Sequence, residues 1–212
     1  MMAQPPATTP RGAAGTRLEL YWIPLGAGPG TGARVVRTSG RIYEALRALV
    51  QRRRPQPLYH AALIAQEGDG SIIVEVAPVP DHQGQTARGA LGEGPVGARM
   101  LGRFRIFRYE IRRWRDGAIP DLAFAIASPV VLTKDRRDIR DVLELVADVP
   151  TPVWGRDELS AGEMWNSNSV VSWILTRAGL AQRAGAAPEG GRAPGWAAGV
   201  VVANRQTREA MT

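Results

Sequence analysis

The chain has 212 residues, 44% hydrophobic and 22% charged, a balance that excludes a disordered polymer and suits one domain able to bury a core. With no cysteine it has no disulfide, thiolate zinc site or thiol nucleophile, and no apolar run approaches the length of a membrane span. The formal net charge is +7, and every basic residue but Lys134 is arginine, which fits a GC-rich bacterial genome and favours acidic partners without naming one.

Residues 1–16 are rich in Pro, Ala, Thr and Gly and lack the apolar stretch of a signal peptide. They read as a flexible tail before a single domain over 17–205, with a short tail at 206–212, and cytoplasm is the default compartment. Leu18 to Leu25 reads as a strand, and Val35-Val36 is a candidate partner for it. Apolar residues at 42, 45, 46, 49 and 50 have helical spacing, with Ser39 or Gly40 as cap and Pro55 as terminator. Leu58–Ala65 and Ser71–Val76 flank Gln66-Glu67-Gly68-Asp69-Gly70, a hairpin signal. Residues 81–97 read as a Gly-rich loop with a short strand near Leu91, and Met100–Trp114 as a strand or hairpin arm. Val130–Thr133 is a short strand. Asp135–Ala147 is a helix with Ile139, Val142, Leu143 and Val146 as its stripe and Asp135 as cap. Met164–Ala178 is a second helix, closed by Gly179, and Trp196–Ala203 is placed as a final strand. The sum is an α+β fold, an antiparallel sheet packed against a few helices.

Two features argue weakly for phosphate or nucleic acid. Gly26–Gly32 lacks the lysine of a phosphate loop, and Pro29 removes one donor, so it reads as a plain turn. Arginines from Arg99 to Arg115 interleave with Phe104, Phe107, Tyr109 and Trp114, a pattern that suits backbone neutralisation and base stacking, and equally an ordinary strand with solvated arginines. Nucleic acid is therefore a minor expectation. His60 and His82 have no carboxylates at ligand spacing, so no metal or cofactor is expected.

The stronger constellation joins His60, Glu75 and Ser167. If Gly68-Asp69 is a two-residue turn, Glu67 pairs with Gly70 and Glu75 faces Ala62, which shares a sheet face with His60. A carboxylate one diagonal step away can orient an imidazole. The alternative is a strand-end histidine and a surface glutamate. Ser167 lies in Trp165-Asn166-Ser167-Asn168-Ser169 at a helix start, where free N–H groups and the macrodipole favour a nucleophile or simply a cap.

His60 opening a strand, Glu75 on the next one, and Ser167-Asn168-Ser169-Val170-Val171 opening a late helix together resemble the circularly permuted branch of the papain-like NlpC-type superfamily. That branch includes lecithin:retinol acyltransferase-like proteins and bacterial permuted amidases. The resemblance spans about residues 58–180 and implies a permuted papain-like core with Ser167 at the usual cysteine position. It further implies attack by Ser167, proton acceptance by His60, orientation by Glu75, and an oxyanion site from helix-start N–H groups with Asn166 or Asn168. Trp154, Trp165 and Trp196 are expected as cleft walls. The implied activity is hydrolysis or transfer of an amide or ester acyl group, on a peptide or acyl-bearing small molecule. The serine is the departure, since a hydroxyl is a far weaker acid than a thiol. A non-catalytic binding module, a pseudoenzyme for a peptide or small ligand, is the alternative.

Overall fold

The computed structural model describes residues 15–28, 31–79, 89–117, 119 and 121–212. The first fourteen residues of the expected N-terminal tail, His82 and the 81–88 part of the expected 81–97 loop lie outside them. Six strands form one antiparallel sheet: β1 (Arg17–Pro24), β2 (Tyr59–Glu67), β3 (Gly70–Pro78), β4 (Ala90–Pro95), β5 (Arg108–Arg115) and β6 (Ile126–Thr133), in the order β4-β5-β3-β2-β1-β6. Among the described residues four α-helices accompany it: α1 (Thr31–Val50), α2 (Arg136–Leu145), α3 (Ser167–Arg177) and α4 (Trp196–Glu209). Among the described residues no helix is long and apolar enough to cross a membrane.

The β2–β3 hairpin has the register that the Gly68-Asp69 turn dictates, from Glu67 opposite Gly70 to Leu63 opposite Val74. Period-two burial then sorts β2 between the faces. Tyr59, Ala61, Leu63 and Ala65 join the main core with Leu18, Leu20 and Trp22 of β1 and the apolar sides of α2, α3 and α4. Ala62 and Ile64 face the other way, against Tyr21, Ile23, Ile73 and Ile119.

Helix α2 buries Ile139, Val142 and Leu143, and the Asp135 side chain accepts from Arg137 N at 2.6 Å, as its stripe and cap predict. Helix α3 buries Val170, Val171, Trp173, Ile174 and Leu175 and ends before Gly179 at φ 71°. Its neighbour is α4, not a strand. Trp196–Ala203 is the first part of helix α4, and Gly199 lets α4 approach α3 closely: a Cβ there would overlap Ser169 O and Ser172 Oγ. The helix also runs beyond the expected domain end at 205, and Gln206 Oε1 accepts from Trp173 Nε1 at 2.8 Å.

Two further expectations change. Val35-Val36 lies in α1 and forms no strand with β1, whose edges are taken by β2 and β6. Residues 99–107 form two short 3-10 turns before β5, so the Met100–Trp114 stretch is a strand only from Arg108.

Candidate functional site

The three predicted residues lie on different elements. His60 is on β2, Glu75 on β3, and Ser167 is the first residue of α3. Strands β2 and β3 pair only from Leu63 onward, so the β3-facing edge of β2 is open before that point. Asn168 fills it. Its carboxamide accepts from Ala61 N at 2.8 Å and donates to Tyr59 O at 2.9 Å, gripping the two peptide groups on either side of His60. It donates also to Pro194 O at 2.9 Å. Next along the same edge, Tyr59 N donates to Arg192 O and Arg192 N to Pro57 O. The start of α3 is thus seated in the gap between β2 and β3, beside His60.

The remaining groups at the helix start are mostly committed. Asn166 is a capping-box residue: its Oδ1 accepts from Asn168 N at 2.9 Å and Ser169 N at 3.3 Å, and its Nδ2 donates to Pro194 O. Ser169 Oγ donates to Gly195 O at 2.8 Å and Ser172 Oγ to Trp196 O at 2.8 Å, tying α3 to α4. The Ser167 side chain, half-buried, has no such carbonyl partner among the described residues. The expected oxyanion role of Asn166 and Asn168 is therefore corrected. Both amides are consumed by the cap and by the β2 edge, which leaves the Ser167 N–H, the first of the unpaired donors of the helix.

The tryptophan wall also changes. Trp165 is buried in the main core, because it precedes a helix packed flat on the sheet. Trp154 packs on Tyr109 with ring centroids 5.1 Å apart, and Trp196 on Trp22 at 5.0 Å. These rings are spent on packing.

His60 projects to the face opposite the α2–α4 layer, the face it shares with Ala62 and Ile64. There its Nε2 lies 3.0 Å from Asp121 Oδ2, both side chains 21% exposed. A carboxylate only accepts, so Nε2 carries the proton and Nδ1 is the basic nitrogen. Burial works against ionisation of Asp121, but the hydrogen bond and charge of His60 outweigh it and hold the carboxyl below its usual range. Gly28 lies against Asp121, where a Cβ would touch Asp121 Cβ at 3.4 Å.

Glu75 does not hold the imidazole. Arg112 stands directly opposite it in the β3–β5 register, and the Arg112 Nη1 to Glu75 Oε1 distance is 3.1 Å. A cross-strand neighbour reaches it before a diagonal one does. Arg112 also pairs with the buried Glu110. Burial raises the Glu75 pKa, with Arg112 pulling against it. Sequence reasoning missed Asp121 because a turn residue carries no periodicity to link it with a strand 61 residues away.

The arginines of 99–115 divide between faces. Arg112 lies with Glu75 and Glu110 on one side of β5, while Arg113 reaches Leu143 O of α2 on the other. Arg99 pairs with Glu158 and Arg108 with Glu93. These four arginines are thus committed to partners on different sides of the segment. Among the described residues no group of three or more His, Asp or Glu side chains is placed to hold a metal ion. No protein-family model, curated protein or solved structure matches the chain.

Proposed function

We propose that this chain is a serine-dependent hydrolase or acyltransferase of amide or ester bonds, on a permuted papain-like core, with Ser167 as nucleophile, His60 as base and Asp121 as the orienting carboxylate. The carrying observation is the Asn168 bridge to Tyr59 O and Ala61 N, which ties the residue after Ser167 to both peptides flanking His60. The imidazole leaves β2 on the face away from the helices, so this reading requires Ser167 to reach it around the open edge of β2, in the gap before β3 begins to pair.

In this reading Ser167 Oγ attacks the substrate carbonyl carbon and its proton passes to His60 Nδ1. Asp121 stabilises the resulting imidazolium through Nε2–H. The Ser167 N–H, at the positive end of α3, faces the developing oxyanion. His60 then returns the proton to the leaving amine or alcohol, and water or an acceptor alcohol or amine releases the acyl group by the reverse sequence.

The test is stoichiometric labelling by a fluorophosphonate, read by intact mass. Labelling lost in Ser167→Ala and strongly slowed in His60→Ala is the expected result. A folded protein that takes no label, or takes it equally in Ser167→Ala, overturns the proposal. One observation favours a non-catalytic binding module instead: the Asn166 cap occupies two of the helix-start N–H groups that an oxyanion would use. That reading predicts no label with native thermal stability.

A further inference from the structure

Helix α1 is mounted with its apolar side outward. Gly40, Glu44 and Ala48, four apart, form the inward side. Glu44 and Ala48 are buried, and Gly40 is close enough to Leu25 that a Cβ would strike it. Glu44 fixes this orientation: it pairs with Arg53, accepts from Gln56 N at 2.9 Å and lies 3.6 Å from Arg192. The opposite side carries Ile42, Leu46, Leu49 and Val50, exposed by 57, 59, 76 and 76%. Arg41, Arg52 and Arg54 are exposed nearby and form no ion pair among the described residues. Glu44 is the only acid between residues 31 and 58, and it faces inward.

A stripe of large aliphatic residues bordered only by cations has the composition of a helix lying in a lipid headgroup layer. A second copy fits poorly. A two-fold contact sets the same patch against itself, and the exposed charges that the patch brings from both copies, Arg41, Arg52 and Arg54, are all positive with no carboxylate to answer them. Negatively charged lipid supplies both the apolar depth and the missing countercharge. A second element points the same way. The strand ends paired as Pro24 with Tyr59, Pro78 with Tyr109 and Pro95 with Arg108 lie at one end of the sheet. Both α1 and the 99–107 turns leave from that end, and the turns expose Met100 and Ile106 beside Arg103.

We propose that α1 docks this protein on an anionic bilayer surface, with Ile42, Leu46, Leu49 and Val50 in the acyl boundary and Arg41, Arg52 and Arg54 at the phosphates. This holds whether or not Ser167 is a nucleophile. The test is sedimentation of the full chain with vesicles of equal phosphatidylglycerol and phosphatidylcholine, against phosphatidylcholine alone. The native protein is expected to pellet with the anionic vesicles only. Leu46→Glu with Leu49→Glu, and separately Arg41→Glu with Arg54→Glu, are each expected to weaken binding at least about tenfold with an unchanged melting curve. No pelleting on anionic vesicles, equal pelleting on neutral ones, or no effect of Leu46→Glu with Leu49→Glu overturns the proposal. So does a dimer in analytical ultracentrifugation that this last variant dissociates, since it assigns the stripe to a second copy.

Discussion

Asp121 holds His60: its Oδ2 accepts from Nε2 at 3.0 Å, from the residue that precedes the 3-10 turn Leu122–Phe124. The pair fixes which imidazole nitrogen is basic, and it replaces the Glu75 contact that strand spacing alone suggests. Glu75 belongs instead to an ion-pair chain through Arg112 to Glu110.

Asp121→Asn is expected to slow fluorophosphonate labelling of Ser167 by about 10³-fold or more, because the imidazole loses its orienting charge and the correct tautomer. Glu75→Gln is expected to change the rate by less than about tenfold, since Glu75 has no hydrogen bond to the ring. Labelling rates compared at one pH distinguish the two carboxylates; equal effects would return Glu75 to the site.

Asn168→Ala removes three hydrogen bonds from a buried amide and strands Ala61 N and Tyr59 O at the strand edge. A loss of about 2–4 kcal/mol in urea unfolding is expected. A loss below about 1 kcal/mol would mean that the α3 start is held by other contacts.

Gly199→Ala sets a methyl group against the Ser169 carbonyl and the Ser172 hydroxyl. The obstacle is backbone, so α4 has to move away from α3, and destabilisation of about 2–3 kcal/mol is expected. Ala197→Gly, exposed on the same helix, is the control and costs about 1 kcal/mol as an ordinary helix substitution. Thermal melts of both variants check the difference.

The two carboxylates give opposite pH signatures. Glu75 has a raised pKa in the fold, because burial outweighs Arg112. The folded state binds this proton more tightly than the unfolded state, so stability falls as pH rises from the usual value of 4.5 through the raised one. Asp121 has a lowered pKa, so its contribution is present above its usual 3.8 and is lost as pH falls through the folded value. Glu75→Gln is expected to remove the decline on the upper side, and Asp121→Asn the loss at the acid end. Urea midpoints measured from about pH 3 to 7 check both.

The sequence by itself determined the elements whose signal is local. The β2–β3 register follows from one two-residue turn and alternating burial, as Leu63 opposite Val74 confirms. Helix α2 follows from its stripe of apolar residues behind Asp135, since a cap and a period of 3.6 need only neighbours in the chain. Helix α3 is legible as a helix closed by Gly179, but it starts at Ser167 and not at Met164, and its residues 168–175 are all buried, so no stripe marks its face. Only the tertiary structure decided the rest. Trp196–Ala203 has too few polar residues to show a period, and it is a helix packed on α3 through Gly199. The outward stripe of α1 reads from sequence like any core-facing stripe; the contacts of Glu44 with Arg53, Gln56 and Arg192 turned it to the surface. Asp121 reached His60, and Arg112 reached Glu75, because sheet order places a turn and a strand beside residues far away in the chain. Periodicity records which face a residue takes. Which distant residue shares that face is fixed by how the strands are ordered, and no local pattern encodes that order.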